Sequence, residues 1–392
     1  MFKRILGRVG RYRRALALCA ALVIAMLITL HHIGSAPSGL SPAEATSKVQ
    51  SSSLRYSARH PLNSPHQLAV YAAQKISPKR NGVLRLASYI FGLAFAAAFY
   101  YLARSWFGRT VGLLSTMMFC LSPFFLVPAR VASPEILFFW PIALMAAYHW
   151  LNKTERKSWA WFALILVVGL AIYTPGLVWW IAGAAVICRK KLLAVTGQLP
   201  QAAVATGLIL LLLLLIPAGL AIFSNWHFLR DLAALPTSWP RPVRLVENLG
   251  WMVSSLVIKT PYHDQIMIGR LPILDLVQLG LLVFGVYAMW TAARTKAAAF
   301  GASILLAVIL AAINNNIDFL FLCLPAVGIL MAAGLRYLYI EWRGVFPRNP
   351  IPKSLALVLM SVLVAIQLVY GLSYSLVAWP HTPDTKTIYV LK

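Results

Sequence analysis

Two carboxylates in the sequence have a setting in which they could do chemistry. Glu44, in GLSPAEATSK, and Glu135, in PARVASPEILFFW, each follow a Ser-Pro pair. A carboxylate can take a proton from a hydroxyl group or help to ligate a cation. Acids are scarce here, with 10 Asp and Glu against 35 Lys and Arg, so the position of each one is informative.

Both acids also have a structural explanation. In SPAE, Ser41 can cap a helix, Pro42 suits the first helical position, and Glu44 falls at the third, which completes a capping box. In SPE, Ser133 can cap a helix whose first turn contains Glu135, where a negative charge meets the positive end of the helix dipole. The local sequence therefore leaves helix initiation and chemistry open for both acids.

The segments on either side of these acids are predicted to be membrane spans. The 392-residue chain is 60% hydrophobic and 11% charged, with a mean hydropathy of +0.76, which excludes a soluble protein. Its basic residues lie mostly in short clusters between long apolar runs and form no nucleic-acid-binding motif. The net charge of +25 therefore indicates membrane topology and not nucleic-acid binding.

A membrane span needs about 20 mostly apolar residues. On that basis the sequence predicts an all-α bundle of about eleven spans, in one polytopic domain over residues 1–392. The predicted starts lie near Ala15, Gly82, Val111, Glu135, Trp159, Gly176, Gln201, Pro272, Ala297, Asp318 and Ser354. The first run, which GSAPS follows, could instead be a cleaved signal peptide, but the many later spans favour a retained one.

Basic clusters predict the orientation of the bundle. The first segment, MFKRILGRVGRYRR, is strongly basic, which predicts a cytoplasmic amino terminus and, by alternation, an outer carboxyl terminus. Alternation also places every short basic connection in the cytoplasm. These connections contain Arg104 and Arg109; Lys153, Arg156 and Lys157; Arg189, Lys190 and Lys191; Arg294 and Lys296; and Arg343, Arg348 and Lys353.

Two long segments, about 34–81 and 224–271, and a tail of about 377–392 are predicted on the outer side. In the second segment, apolar residues recur at helical spacing after Pro242, which predicts a helix in the membrane interface beside Trp239 and Trp251. All acids except Glu155 and Glu341 lie on the outer side or at outer span ends. This skew indicates that any chemistry takes place at the outer face.

Several short elements follow one another after the first predicted span. They are Glu44, HPL at His60 to Leu62, RLAS at Arg85 to Ser88, ARSWFGR at Ala103 to Arg109, LSPFF at Leu121 to Phe125, ARVASPE with Arg130 and Glu135, and later FLFLCLPAVGILMAAGL at Phe319 to Leu335. In this order, and on these sides of the membrane, they resemble the GT-C glycosyltransferases that use lipid-phosphate-linked sugars. Protein O-mannosyltransferases and the aminoarabinose transferase of lipid A belong to that group.

The resemblance implies transfer of a sugar from a polyprenyl phosphate or diphosphate to an acceptor hydroxyl, at the outer face of a bacterial cytoplasmic membrane. Glu44 would be the general base that removes the hydroxyl proton. Arg130 would bind the leaving phosphate, with Arg85, Arg59 and His60 behind it, because a guanidinium can hold two phosphate oxygens.

The same resemblance gives Glu135 a supporting role, in which it would orient that arginine or the acceptor, or help to hold a divalent cation. Two separated carboxylates do not by themselves define a metal site. Tyr262, His263 and Asp264, in KTPYHDQIM of the second outer segment, would line the acceptor side.

Other functions stay open. Arg59 and Arg85 could simply bind lipid headgroups. Ala43 stands where the family often has the first acid of an Asp-Glu pair, and this loss favours a catalytically silent relative that binds a lipid-linked glycan or a partner protein. A transporter for such a lipid is the third hypothesis, although no charged residue falls near the middle of a predicted span.

Overall fold

A computed structural model describes residues 27–77, 80–260, 265–345 and 350–391. The predicted first span, most of which precedes residue 27, and the basic amino terminus lie outside these ranges. Within them the chain is helical, apart from turns and an isolated bridge between Leu40 and Leu391. The all-α prediction is confirmed.

Three short helices form the first predicted outer segment: α1 (Pro42–Gln50), α2 (Leu54–Arg59) and α3 (Ser64–Ile76). The capping box predicted for α1 is present. Glu44 N donates to Ser41 Oγ at 3.2 Å, and Ser41 N donates to Glu44 Oε2 at 3.0 Å. Pro42 occupies the first turn, where its missing N–H leaves no bond unmade.

The first half of the bundle follows. It contains α4 (Asn81–Phe107), α5 (Arg109–Cys120), α6 (Pro123–Arg130), a 3₁₀ helix (Pro134–Phe139), α7 (Trp140–Lys153), α8 (Lys157–Ala171), α9 (Leu177–Thr196) and α10 (Gln201–Ser224). The axes of α5 and α6 differ by 61°. Pro123 accounts for the break, because its ring prevents a continuous helix and it fits a new first turn. One predicted span is thus two helices.

The fourth predicted span also begins differently from the prediction. Ser133 precedes the 3₁₀ helix, but its side chain makes no capping hydrogen bond, so the predicted cap is wrong. Instead Ser88 Oγ donates to the Ser133 carbonyl at 3.4 Å. Glu135 does lie in the first turn, as predicted.

The second half of the described chain starts with two helices from the second predicted outer segment, α11 (His227–Leu232) and α12 (Pro242–Val257). It continues with α13 (Leu276–Ala292), α14 (Arg294–Asn314), a 3₁₀ helix (Ile317–Cys323), α15 (Leu324–Val345), α16 (Pro350–Leu372), a π-helical turn (Ser373–Ala378), α17 (Trp379–His381) and α18 (Pro383–Ile388). The helix predicted after Pro242 is present as α12 and begins at Pro242, as the sequence indicated; its place in the membrane interface stays a prediction.

Five helical segments of the described chain are long and apolar enough to cross a membrane, or six if the bent α5–α6 pair forms one span. They are Asn81–Phe107, Gln201–Ser224, Arg294–Asn314, Ile317–Trp342 and Val358–His381. The protein is therefore a multi-pass membrane protein, but the predicted count of about eleven is not confirmed. The 15 residues of α8, for example, extend only about 22 Å, less than the ~30 Å hydrocarbon core.

In the second half, α13 and α15 pack closely against each other. A Cβ atom added to Gly285 would collide with the Leu330 carbonyl, and one added to Gly334 would collide with the Leu281 carbonyl. Glycine at both positions lets the two backbones approach, as small residues do between membrane helices. This contact fixes α15, most of which is buried.

Candidate active site

Glu44 and Arg85 form a buried ion pair between α1 and α4. Arg85 Nε lies 2.8 Å from Glu44 Oε1, and Nη2 lies 3.1 Å from Oε2, so the pair is bidentate. Both residues are at most 1% exposed. The carboxylate also accepts from the Ser41 and Ala132 backbone N–H groups, at 3.0 and 2.9 Å. Glu44 thus joins three segments of the chain.

The remaining hydrogens of Arg85 bind the chain before α1. Nη1 donates to the carbonyls of Ile33 and Pro37, both at 2.9 Å, and Nη2 donates to that of Gly39 at 2.7 Å. Because a guanidinium has five N–H donors, these contacts and the two to Glu44 occupy it fully. Arg85 is therefore engaged in holding protein groups.

Arg130, at the end of α6, has a similar environment. It is 2% exposed, and its Nη1 and Nη2 atoms donate to the carbonyls of Thr29 and His31, the latter at 3.0 Å. Arg130 therefore binds the end of the first predicted span, and Arg85 binds the last residue of that span and the chain just after it.

The carboxyl-terminal segment closes the cluster from another side. The ring of Tyr389 lies 5.8 Å from the Arg85 guanidinium, and Leu40 N donates to the Leu391 carbonyl at 2.8 Å. A Cβ on Gly39 would collide with the Tyr389 carbonyl. Burial, and next the nearby Glu44 charge, hold the pKa of Tyr389 well above its usual value, so its hydroxyl stays protonated.

A cavity of about 980 Å³ lies between the first outer segment and the ends of α10 and α11. Its polar wall contains Thr46, Ser47, Gln50, Arg55, Arg59, His60, Asn63, Gln67, Glu135, Ser224, Asn225 and Asp231, and its apolar wall contains Leu62, Leu220, Ala221 and Phe228. Leu220 is 62% exposed on α10, so this wall adjoins the lipid-facing surface. We call this space the outer cavity, after the first predicted outer segment that lines it.

The outer cavity brings together some of the predicted site residues. Arg59, His60 and Glu135 line it, whereas Glu44, Arg85 and Arg130 do not. The predicted acceptor residues Tyr262, His263 and Asp264 lie outside the described residues. The six candidates that are described thus divide into a cavity group and a buried group.

Two consecutive residues of α1 face in different directions. Ala43 lines the outer cavity, while the next residue, Glu44, points to Arg85. Successive helical residues are about 100° apart, which separates their environments. Position 43, where the resembling family often has an acid, therefore presents an alanine to the cavity.

Sequence reasoning missed two charged cavity residues, Arg55 and Asp231. Arg55 and Arg59 are four residues apart in LRYSAR, and this spacing places both on one face of a helix. Within the described ranges neither arginine forms an ion pair. Asp231 gives no such signal, because it enters the cavity from a segment distant in sequence.

The base of the cavity is held by α3. Gln67 Nε2 donates to the carbonyls of His60 and Leu62, at 3.3 and 2.8 Å, and His60 stacks on Tyr56. His66 Nε2 lies 2.8 Å from Ser88 Oγ, and complete burial lowers the pKa of His66 to about 4. Neutral His66 thus links α3 to α4 without adding charge beside the cavity.

A second cavity, of about 770 Å³, adjoins the first at Asp231. It lies beside the start of α12 and the carboxyl-terminal end of α14, and Arg241, Arg244 and Glu247 line it. The described residues contain no group of three or more His, Cys, Asp or Glu side chains that could hold a metal ion.

Solved structures share this architecture. The crystal structure of ArnT from Cupriavidus metallidurans in the apo state matches with a TM-score of 0.61 and 16% sequence identity, over 96% of this chain and 78% of ArnT. ArnT from the same organism bound to undecaprenyl phosphate matches with a TM-score of 0.52 and 16% identity, over 95% of this chain and 74% of ArnT. The chain has the GT-C fold.

Sequence comparison agrees with the GT-C fold over part of the chain. Residues 66–225 match the family model of dolichyl-phosphate-mannose-protein mannosyltransferase. This segment contains Arg85, Arg130 and Glu135 and begins after Glu44. A search of curated protein sequences finds no match to the chain. The resemblance indicated by the sequence is confirmed.

Proposed function

We propose that the protein transfers a sugar from a polyprenyl-phosphate-linked donor to an acceptor hydroxyl in the outer cavity, on the outer side of a cell membrane. Support comes from the GT-C fold and from the ArnT structure that contains undecaprenyl phosphate. The basic residues at the opposite end of the bundle favour the outer orientation of this cavity.

The observation that carries the proposal is the composition of the outer cavity. A carboxylate, Glu135, shares one space with three cationic or titratable side chains, Arg55, Arg59 and His60. The apolar wall on α10 adjoins lipid, so a polyprenyl chain can lie along it while its phosphate meets the arginines. Arginine suits this position because it binds two phosphate oxygens at once.

In the proposed reaction, the acceptor oxygen forms a bond to the anomeric carbon of the sugar. The bond from that carbon to the phosphate oxygen breaks, and the phosphate leaves with the electron pair. Glu135 takes the proton of the acceptor hydroxyl, and Arg55 and Arg59 stabilise the charge on the departing phosphate.

The proposal favours Glu135 over Glu44 as the base. Four protein N–H groups, two of them on Arg85, already donate to the Glu44 carboxylate, and these contacts hold it away from the cavity. Glu44 is better suited to positioning α1, and through Ala132 the segment that leads to Glu135.

A second candidate function is a catalytically silent protein that binds a lipid-linked glycan. One observation favours it: Ala43 lines the outer cavity at the place where the resembling family often has an acid. In that case the arginines would still hold the phosphate, and the missing carboxylate would prevent transfer.

Two variants distinguish these functions. Membranes that contain the protein are supplied with undecaprenyl-phosphate mannose or aminoarabinose, and release of undecaprenyl phosphate is measured. We expect Glu135→Gln to lower the wild-type rate by about 10²–10⁴-fold at equal protein level. If Glu135→Gln retains the full rate, Glu135 is not the base. Absence of wild-type turnover, with turnover gained in Ala43→Asp, would instead support the silent binder.

A further inference from the structure

Three basic side chains from three helices converge at the far end of α4. Their common target is the pair Ser105–Trp106, 20 residues after Arg85 on the same helix. At 1.5 Å per residue this is about 30 Å away, roughly the thickness of the hydrocarbon core. The group therefore lies at the opposite membrane surface from the outer cavity.

Direct contacts define the group. Lys153 Nζ, at the end of α7, donates to Ser105 Oγ at 3.3 Å. Arg336 Nη1, in α15, donates to the Trp106 carbonyl at 2.7 Å. Lys296 Nζ, in the first turn of α14, lies 5.2 Å from the centre of the Trp106 ring. All three basic residues are exposed.

The hydrogen bonds of His149 show whether the Ser105 hydroxyl accepts or donates. Trp106 Nε1 donates to His149 Nδ1 at 3.3 Å, so in a neutral imidazole the hydrogen is on Nε2. Nε2 then donates to Ser105 Oγ at 2.6 Å. With Lys153 as the second donor, both lone pairs of the Ser105 oxygen are occupied. The Ser105 hydroxyl hydrogen has no acceptor among the described residues.

None of the three basic residues forms an ion pair within the described parts of the chain. The ion pairs there are between Glu44 and Arg85 and between Arg230 and Asp231, both far from this surface. Three cations thus contact one pair of residues without a directly bonded carboxylate. Like charges that gather in one place repel one another, so an anion with several acceptor oxygens would stabilise the arrangement.

We propose that Ser105, Lys153, Lys296 and Arg336, here called the Ser105 cluster, bind the phosphate of an anionic phospholipid headgroup in the adjacent leaflet. Clusters of Lys and Arg at this level of a membrane protein recognise such lipids. The surroundings favour lipid over a soluble anion. Trp150 and Trp159, 39% and 71% exposed at the same end of the bundle, are the type of residue that occupies the headgroup region.

The site differs from a general attraction between basic loops and an acidic membrane. Lys190 and Lys191, at the same end of the bundle on α9, are exposed but make no contact with Ser105 or Trp106. A general attraction depends only on the number of charges. The affinity of a specific site depends on which charges are removed, and also on an uncharged donor such as Ser105.

The test compares two double variants, Lys153→Gln/Lys296→Gln and Lys190→Gln/Lys191→Gln, in phosphatidylcholine nanodiscs. The preference for spin-labelled phosphatidylglycerol over spin-labelled phosphatidylcholine is measured. We expect the cluster variant to lose about thirtyfold in preference and the control no more than about fivefold. Equal losses would overturn the proposal.

Two further measurements complete the test. Ser105→Ala removes no charge, and we expect it to weaken the preference by about threefold to tenfold. Because two hydrogen bonds within the protein are lost as well, the unfolding temperature should fall by only about 2–4 °C. An excess of inorganic phosphate should leave phosphatidylglycerol bound. Displacement by inorganic phosphate would identify a soluble-anion site and would contradict binding of a lipid.

Discussion

Glu44, the acid in SPAE, faces Arg85, whereas its neighbour Ala43 faces the outer cavity. The capping box fixes the rotation of the first turn of α1, and this rotation points Glu44 at Arg85. Burying two charges is costly, and the cost is offset only when the pair is well matched and its other hydrogen bonds are made, as they are here. Glu44 therefore stabilises the fold that surrounds the outer cavity.

We predict that Glu44→Gln lowers the free energy of unfolding in detergent by about 3–5 kcal/mol, because it leaves Arg85 charged, buried and unpaired. Glutamine is accepted at the third position of a capping box, so the loss would report on the ion pair and not on the helix start. Glu155→Gln, which changes an exposed acid, is the matched control and should alter stability by no more than about 0.5 kcal/mol. Equal stabilities of the two variants would contradict this account of Glu44.

Among the helices, α13 and α15 bring their backbones close together, and this contact has a simple test. Gly285 faces the Leu330 carbonyl, whereas a Cβ on Gly280 of the same helix would meet no atom within 4 Å. Glycine-to-alanine substitutions at these two positions of α13 therefore distinguish the effect of helix packing on stability from the effect of helix propensity.

We predict that Gly285→Ala destabilises the protein by about 1–3 kcal/mol, because the helices must move apart to admit the methyl group. Gly280→Ala should be neutral or stabilising, by up to about 1 kcal/mol, since alanine is the better helix former. Thermal or denaturant unfolding in detergent measures both. If the two variants are equally stable, the helices are not in the close contact described.

For the whole molecule, the features predictable from the sequence are those with a local cause. Apolar runs and proline positions predicted helix starts near Gly82, Gln201 and Pro242, and the structure has helices beginning at Asn81, Gln201 and Pro242. Span number was harder to predict, because an apolar window continues across a break such as the one at Pro123. Hydropathy registers composition, whereas the bend depends on a single residue.

The candidate site was only partly predictable, because its contacts join distant segments. Glu44 and Arg85 are 41 residues apart, and the Tyr389 ring that packs near Arg85 comes from the far end of the chain. No local pattern specifies such pairings. The i, i+4 spacing of Arg55 and Arg59 indicates that both lie on one helix face. Only the fold shows that this face lines the same cavity as Glu135.

Binding of undecaprenyl phosphate to the purified protein measures whether the outer cavity holds a polyprenyl phosphate through Arg55 and Arg59. Arg55→Gln/Arg59→Gln should weaken binding by about tenfold to a hundredfold, the loss expected for hydrogen bonds to a charged group. Arg241→Gln/Arg244→Gln, which alters exposed arginines of the second cavity, should leave the affinity nearly unchanged. Wild-type affinity in Arg55→Gln/Arg59→Gln, or an equal loss of affinity in the two variants, would contradict binding of the phosphate by Arg55 and Arg59.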